Sequence, residues 1–314
     1  MAEASSAGGG ALSARVRVLR HVAAAIEAGE PVVALESSVL AQGLPIPSNR
    51  EAAERMARAV ERGGAISAIT AVVRGQATLG LEPAELERFL APDGVRKVSS
   101  RDLGIVIAQK IDGATTVAAS LCIAGATGVD VFATGGIGGV HRGAPLDESG
   151  DLAELARTPM IVVCAGAKSI LDLPATLERL ETLGVAVIGY RTDELPGFFT
   201  RTTGLKLSAR AESPEEIVAI HLAARSLDRQ QATLVVQPPP ADVALPQDLV
   251  DSAVAEALDD ARLAGVRGAA TTPFLLGAVG RATDGRSLAA NLGLLEENAF
   301  LAARIAVALA SARR

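Results

Sequence analysis

Aromatic residues and cysteines are scarce in this chain of 314 residues. Aromatic side chains make up 2% of it, Trp is absent, and there are two cysteines. The core must therefore consist mainly of Ala, Val, Leu and Ile, and a disulfide framework or a cysteine-rich zinc site is excluded. Cys122 and Cys164 both lie in apolar segments, which predicts two small buried thiols.

Long apolar runs and basic blocks are missing too. A charge, a Gly or a Pro interrupts every apolar stretch before it reaches the length of a membrane span, so we expect no membrane segment. The net charge of −6 is spread along the chain without a basic block, which argues against nucleic acid as a partner. Residues 1–12 lack a compact apolar core with a cleavage site. We expect them to form a flexible tail on a cytoplasmic protein.

Apolar runs typical of buried strands alternate with amphipathic segments typical of helices along the rest of the chain. Helices are predicted over residues 13–28 and 113–125, for example, and strands over 31–35, 129–134 and 160–164. Such alternation predicts an α/β fold, a layered α-β-α sandwich around a central mixed, largely parallel sheet. Neither an internal repeat nor a clear linker divides residues 13–314, so we expect a single domain there.

Residues 131–168 contain an unusual group of chemically active positions. Four glycines, Gly135, Gly136, Gly138 and Gly139, follow the first apolar run. They indicate either a tight turn or a loop whose N–H groups bind an anion. A dinucleotide-binding loop is excluded, because His141 stands where a third glycine of that pattern is required and the next segment is an acidic loop.

Lysine is rare, since 4 of the 30 basic residues are lysines: Lys97, Lys110, Lys168 and Lys206. In such a chain a lysine indicates a site that needs a compact or deprotonatable amine. Lys168 ends the second apolar run, where loss of solvation would favour a neutral, nucleophilic amine suited to a Schiff base. A phosphate-binding or surface lysine is the alternative, and the residues alone leave both open.

Four carboxylates are further candidates for the site, and each has an alternative interpretation. Glu36 ends an apolar strand, where desolvation would favour a general acid; a cap of a helix or loop is the alternative. The hard oxygens of Asp147, Glu148 and Asp151 suit Mg²⁺ or Mn²⁺ with several waters, or simply form a solvated loop and helix start. Two of the histidines, His21 and His221, lie on predicted helices without partners and are interpreted as structural, whereas His141 borders the glycine loop.

Several separate stretches resemble the pseudouridine-5′-phosphate glycosidase family. The matching motifs, in chain order over roughly residues 30 to 300, are ALESSV, KVSSRDL, GATTVAAS, FATGGIGGVHRG, DLAELARTPMIVVCAGAKSILD, VIGYRTDELPGFF and TPFLL. The resemblance implies a catalytic domain that interconverts pseudouridine 5′-phosphate plus water with uracil plus ribose 5-phosphate. It also implies an α/β sandwich that assembles as a homotrimer and uses one Mn²⁺ per subunit.

Roles for individual residues follow from the same resemblance. Lys168 in CAGAK would be the covalent nucleophile, which forms an imine with ring-opened ribose, and Glu36 in ALES would be the proton donor. The metal ligand lies 21 residues before the nucleophile in the family, which gives Asp147. The residues implied as substrate contacts are Lys97, Val117, Ser149, Gly150, Asp151 and Asn291.

The chain also departs from the family pattern. Gln42 stands where a His is usual, so no role is assigned to it. The loop between Gly143 and Asp147 is shorter than in the family, and Glu148 replaces an apolar residue, so Asp151 remains an alternative metal ligand.

A Schiff-base aldolase acting on a sugar phosphate would use Lys168 in the same way without a uracil site. A sugar-phosphate binding protein without catalysis is the third hypothesis.

Overall fold

The computed structural model describes residues 15–91, 93–143, 147–266 and 271–314. None of the helices within these ranges is both long and apolar enough to cross a membrane. The strands are β1 (Arg17–Val18), β2 (Val32–Leu35), β3 (Ile66–Val73), β4 (Gln76–Leu79), β5 (Arg96–Val98), β6 (Gly113–Thr115), β7 (Val131–Ala133), β8 (Val140–His141), β9 (Ile161–Cys164), β10 (Leu171–Asp172), β11 (Ala186–Tyr190), β12 (Ala209–Ala211) and β13 (Thr233–Val236).

The helices complete the alternation of elements along the chain. They are α1 (Arg20–Glu27), α2 (Ser48–Arg62), α3 (Pro83–Leu90), α4 (Leu103–Ala108), α5 (Val117–Gly125), α6 (Gly150–Leu155), α7 (Leu173–Thr182), α8 (Pro214–Ser226), α9 (Gln247–Leu263), α10 (Thr271–Ala282) and α11 (Arg286–Ala312). Two short turns of other helix types are also present, a π-helical turn at Val39–Gly43 and a 3-10 turn at Ser100–Asp102.

Eleven of the described strands form one sheet. Its order is β1-β4-β3-β2-β7-β9-β13-β11-β12, with β6 beside β3 and β5 beside β6. From β3 to β12 every neighbouring pair along this order is parallel, whereas β4 and β6 run antiparallel to β3. Strands β8 and β10 form a separate antiparallel pair. The predicted α/β fold with a central mixed, largely parallel sheet is confirmed.

The centre of the sheet is the core of the molecule. Every residue of β2, β7, β9 and β13 is buried, and these strands are made almost wholly of apolar side chains. Such strands arise where helices cover a parallel sheet, because no strand face meets water. Helix α11 packs along β2, β7 and β9 together with α2 and α8, while α5 packs against β2 and β3 together with α6. The carboxyl ends of the central strands therefore emerge at one edge of a rigid layer.

Two predicted helices begin later than the sequence indicates. The helix predicted over 13–28 starts at Arg20, because Arg17–Val18 pairs with β4 as a strand. The helix predicted over 113–125 starts at Val117, because residues 113–115 form β6 between β3 and β5. The tail predicted at 1–12 lies outside the described residues, so the division into a tail and one catalytic domain stays a prediction.

The prediction of two buried thiols is correct for one cysteine and wrong for the other. Cys164 lies at the end of β9 and is fully buried, which raises the pKa of its thiol to about 12. Cys122 is exposed, because it occupies an outward position of α5, a helix whose other faces are buried. Apolar sequence neighbours did not reveal this position, since α5 is apolar nearly all round.

Candidate active site

The predicted catalytic residues lie at one edge of the central sheet. Glu36 directly follows β2, and Lys168 lies four residues beyond β9, with β7 between these two strands. Parallel strands end at the same edge, and ligands of α/β proteins bind there. Lys97 reaches the same edge from β5, and Asn291 approaches it from α11.

The predicted site residues line two adjoining spaces. The inner compartment, of about 50 Å³, is lined by Glu36, Lys97, Lys168 and Asn291, together with Gln42 and Phe198. The outer compartment, of about 220 Å³, is lined by Glu36, Lys97, Lys168, Val117, Asp147, Ser149, Gly150 and Asp151. Glu36, Lys97 and Lys168 line both spaces and so stand at their junction. The structure thus brings together all nine residues that the sequence predicts for the site.

The carboxylate of Glu36 is held on both sides. The side chain is 6% exposed. Thr134, which follows β7, donates its hydroxyl to Oε1 at 2.5 Å, and Ser38 donates its hydroxyl to Oε2 at 2.5 Å. Two hydroxyl donors, one on each oxygen, fix the plane and the orientation of the carboxylate. This arrangement favours a group that exchanges protons at a defined position.

The glycine loop positions Lys168 through the backbone. The N–H of Lys168 donates to the carbonyl oxygen of Ile137 at 3.1 Å, and the N–H of Ile137 donates to that of Gly166 at 3.1 Å. The N–H of Gly138 donates to Asp151 Oδ2 at 2.8 Å. Since protein acceptors occupy these two loop N–H groups, neither is available to an anion. Close packing accounts for the glycine at position 136, because a Cβ there would lie 2.6 Å from the ring of Phe198.

The amine of Lys97 is largely buried beside other charged groups of the site. Burial and the neighbouring charge of Lys168 lower the pKa of its amine, while Glu36 and Asp151 oppose that shift. Desolvation and a like charge both disfavour the ammonium form. The two amines are therefore close enough to interact electrostatically.

The two candidate metal ligands differ in what their oxygens contact. Asp151 is 5% exposed, and its Oδ1 accepts from the N–H of Ala118 at 2.9 Å while Oδ2 accepts from that of Gly138. Its carboxylate therefore ties α5 to the glycine loop. Asp147 has a side chain that is 59% exposed, and its Oδ2 lies 3.8 Å from Nδ1 of His141. Glu148, the departure from the family pattern, forms an ion pair with Arg179 at 2.9 Å.

A metal ion would have few protein ligands in this site. Within the described ranges there is no group of three His, Cys, Asp or Glu side chains arranged to hold one. Asp147 offers a single exposed carboxylate on the wall of the outer compartment. This donor set would suit a hard divalent cation that keeps several of its waters, and it does not fit zinc.

The far wall of the outer compartment presents hydrogen-bond donors. Val117 begins α5, and Gly150 begins α6 after its N-cap Ser149, so backbone N–H groups of two helix starts border the space. The hydroxyl of Thr116 is shielded from solvent and contacts no hydrogen-bond partner among the described residues. Such donors beside Lys97 suit an anionic ligand.

No role was assigned from the sequence to three residues of the site: Ser38 and Phe198, which line the inner compartment, and Thr134, which holds Glu36. Thr134 could have been found, because it is a polar residue directly after a buried strand, as Glu36 is. Phe198 adopts a left-handed backbone conformation, with φ of 67°, and its N–H donates to the carbonyl oxygen of Ala165. A bulky residue in that conformation is strained, which is common at functional sites, but the sequence carries no sign of it.

Comparison with known proteins identifies the family. Residues 21–308 match the family described as indigoidine synthase A like protein. A relative from Gemmatimonas aurantiaca, named pseudouridine-5′-phosphate glycosidase, is 64% identical over 295 residues, which cover 94% of this chain and 96% of the relative. A relative of the same name from Staphylococcus aureus is 47% identical and covers 92% and 95% of the two chains.

Two solved structures share the fold over nearly the whole chain. The prealnumycin C-glycosynthase AlnA, solved in complex with ribulose 5-phosphate, superposes with a TM-score of 0.88 at 36% identity and covers 95% of this chain and 98% of its own. An indigoidine synthase A (IdgA)-like protein from Thermotoga maritima gives 0.86 at 36% identity, with 94% and 97% covered. This chain therefore belongs to the indigoidine synthase A-like family, in which its relatives are named pseudouridine-5′-phosphate glycosidases.

Proposed function

We infer that this protein is an enzyme that reversibly cleaves the C–C glycosidic bond of pseudouridine 5′-phosphate, giving uracil and ribose 5-phosphate. The observation that carries the inference is the junction of the two compartments, where an amine and a clamped carboxylate meet at the edge of the sheet. The names of the relatives supply the substrate. A complex of the related C-glycosynthase with a pentose phosphate supports the sugar-phosphate half.

The leaving group explains why an amine is needed. Uracil departs as a carbon, which is a poor leaving group from a closed sugar ring, so a covalent intermediate that accepts electron density lowers the barrier. We assign Lys168 as the nucleophile. Its Nζ bonds to C1′ of the ribose as the C1′–O4′ bond breaks, and the proton released by the amine passes to the ring oxygen. The open-chain sugar then remains attached to the lysine.

Glu36 completes the cleavage step in this mechanism. As the C1′–C5 bond breaks, the nitrogen lone pair forms the C1′=N bond of a protonated imine, and the acid form of Glu36 delivers a proton to C5 of uracil. The imine nitrogen then gives its proton to the Glu36 carboxylate, which restores the acid. Water then adds to the imine and releases ribose 5-phosphate and the free amine. The hydroxyls of Ser38 and Thr134 hold the Glu36 carboxylate in one orientation throughout, which favours transfer to one atom of the base.

The outer compartment suits the phosphate group. Lys97, the hydroxyl of Thr116 and the N–H groups at the start of α5 supply donors there. We propose Lys97, Val117, Ser149, Gly150 and Asp151 as sugar-phosphate contacts, with Asp151 acting through the helix and loop that it joins. A bound phosphate, remote from the reacting bond, contributes binding energy that positions C1′ beside Lys168.

We propose Asp147 as the protein ligand of one Mn²⁺ per subunit. Its exposure supports this choice over Asp151, whose two oxygens already accept backbone N–H groups. When bound, the ion would supply positive charge that attracts the substrate phosphate. Asn291 on the opposite side lines the inner compartment, where we expect the uracil ring to bind.

Two assays with purified protein test the proposed function. Uracil and ribose 5-phosphate are mixed with the enzyme, with and without Mn²⁺, and the formation of pseudouridine 5′-phosphate is followed. Aldol products alone would instead identify an aldolase, and no product with Mn²⁺ present would contradict the proposal.

Borohydride added with ribose 5-phosphate should trap a covalent adduct on Lys168, and Lys168→Ala should keep the fold but lose turnover. An unmodified Lys168 in the mass spectrum would remove the imine mechanism.

We also propose that the chain acts as a homotrimer in the cytoplasm. Six large apolar side chains are exposed on the described surface, and contact with another subunit would remove from water those that lie in the interface. The six are Ile46, Ile105, Ile107, Ile220, Leu227 and Leu263. Light scattering during size-exclusion chromatography should give three times the chain mass of 31.9 kDa. A mass of one or two chains would contradict the trimer.

A further inference from the structure

Gln42 has a fixed orientation in the wall of the inner compartment. It lies in the π-helical turn Val39–Gly43, a geometry that is rare and frequent at functional sites. Its Nε2 donates a hydrogen bond to the carbonyl oxygen of Val95 at 3.1 Å. Because a carbonyl oxygen can only accept, this contact identifies the nitrogen and so determines where the oxygen of the amide lies.

The other end of this amide lacks a partner. Oε1 of Gln42 is shielded from bulk solvent, and no described residue donates a hydrogen bond to it. An enclosed acceptor without a donor is costly, so such atoms in native proteins usually meet a ligand or an ordered water. Gln42 lines the inner compartment, and a donor that enters that space is the partner that this oxygen lacks.

The surroundings indicate what kind of donor fits. Apolar and aromatic groups of Val39, Phe198 and Leu276 line the same compartment, together with the amide of Asn291. A flat ring that carries both N–H and C=O groups on its edge would satisfy the two amides and lie against the apolar walls. A phosphate would match this lining poorly, because the only charged donors that the inner compartment has among the described residues are Lys97 and Lys168, and both stand at the junction with the outer compartment.

We propose that Gln42 Oε1 accepts a hydrogen bond from a ring N–H of uracil and so helps to determine which base the enzyme accepts. This assignment depends on the proposed function, since it places the uracil ring in the inner compartment. It gives a role to one of the positions where the sequence departs from the family pattern. Gln42 acts on binding of the base and takes no part in the bond changes at C1′.

The first test replaces Gln42 by Met, which has a similar length and no acceptor of comparable strength. In the synthetic direction, KM for uracil should rise ~10-fold, because the variant loses one hydrogen bond to a buried donor. KM for ribose 5-phosphate and borohydride trapping of that sugar on Lys168 should stay unchanged. Gln109→Met is the matched control, since Gln109 is exposed at the end of α4 and lines neither compartment.

The second test removes the donor from the base. Wild-type enzyme should discriminate against either 1-methyluracil or 3-methyluracil relative to uracil, and the discriminated analogue identifies the nitrogen that Gln42 contacts. Gln42→Met should lose that discrimination, since both partners of the hydrogen bond are then absent. A purely structural role through Val95 would lower kcat/KM for all three bases by the same factor.

Each outcome decides a separate point. An unchanged KM for uracil in Gln42→Met, or methyl discrimination equal to that of the wild type, would overturn the role of Gln42 while leaving the proposed function in place. Wild-type protein that forms no pseudouridine 5′-phosphate would overturn the proposed function itself. A variant whose KM for ribose 5-phosphate rises as much as that for uracil would also contradict a contact confined to the base.

Discussion

The hydroxyl of Thr134 and that of Ser38 make Glu36 a different group from an ordinary strand-end glutamate. Each donates to one oxygen of a carboxylate that is 6% exposed. Ser38 belongs to the same loop as Glu36, whereas Thr134 follows the neighbouring strand β7. The hydroxyl of Thr134 therefore holds the carboxylate relative to the strand beside it, which a group on its own loop cannot do.

This contact gives the first prediction, made for Thr134→Val. Val has nearly the same shape as Thr but no hydroxyl, so the substitution removes the hydrogen bond to a charged acceptor with little change in packing. Turnover in the synthesis of pseudouridine 5′-phosphate should fall about 10-fold or more. Borohydride trapping of ribose 5-phosphate on Lys168 should be much less affected, because imine formation from the free sugar does not require proton delivery to the base.

Thr134→Ser is the control, since it keeps a hydroxyl at the same position. It should retain most of the turnover that Thr134→Val loses, and both variants should unfold at similar urea concentrations. Equal losses of turnover in the two variants would show that the methyl group matters more than the hydroxyl. In that case the clamp on Glu36 would have no part in the reaction.

Among the elements of the site, the loop after β7 connects Lys168 with the start of α6 through hydrogen bonds and close packing. Asp151 accepts hydrogen bonds from Gly138 in this loop and from Ala118 in α5, and the loop also carries the backbone contact to Lys168. Gly138 lies so close to its neighbours that a Cβ there would be 2.2 Å from Ser149 Oγ and 2.9 Å from Asp151 Oδ2. The outer compartment keeps its shape because this position has no side chain.

Gly138→Ala should therefore separate the loop from the start of α6. Contacts of that length cannot persist, so Ser149 and Asp151 must move. We expect KM for ribose 5-phosphate to rise ~10-fold or more. The free energy of unfolding should fall by about 1–3 kcal/mol. Gly104→Ala is the matched control, because a Cβ on that exposed helical glycine would have no atom within 4 Å. It should keep the wild-type kinetics and gain some stability. Wild-type kinetics in Gly138→Ala would contradict the claim that close packing at this glycine sets the shape of the outer compartment.

The strands of this fold could be predicted where a run of apolar residues ends in a polar one. Buried runs such as Val32–Leu35 and Ile161–Cys164 predicted parallel strands, and the polar residues that follow them, Glu36 and Lys168, predicted the site at one sheet edge. Strand β6 was predicted as helix because its three residues are small and precede an Ala-rich helix, and its pairing partners are distant in sequence. Tertiary pairing overrides local propensity in such short segments.

Details of the site that depend on three-dimensional contact could not be predicted in this way. The orientation of Gln42 depends on the carbonyl of Val95, 53 residues away. The connection between the glycine loop and α5 depends on Asp151, whose carboxylate, judged from the sequence, was equally suited to a metal ion. Sequence spacing identifies which chemical groups arrive at the edge of the sheet, but hydrogen-bond partners decide which of them stay available to a ligand.

At the scale of the whole molecule, one buried histidine connects stability to pH. His221 on α8 is 1% exposed, and its Nδ1 shares a hydrogen bond with Thr233 Oγ1 of β13 at 2.9 Å. Burial lowers its pKa from 6.5 to about 4, and the charges of Arg225 and Arg313 act in the same direction while Asp130 opposes them. The structural role predicted for this residue from its place on a helix agrees with this contact.

The sign of the resulting pH dependence follows from proton binding. Between pH 6.5 and 4 the unfolded chain binds a proton at His221 and the native state does not, so this contribution to stability is complete above 6.5 and is lost as pH falls toward 4. The free energy of unfolding should decrease by about 2 kcal/mol between pH 7 and pH 5 from this group alone. In His221→Gln the decrease over that range should be smaller by this amount, although the variant is less stable at pH 7. His21→Gln, at an exposed position of α1, should keep the wild-type dependence. Urea unfolding of the three proteins at both pH values measures the difference, and equal slopes for wild type and His221→Gln would contradict the assignment.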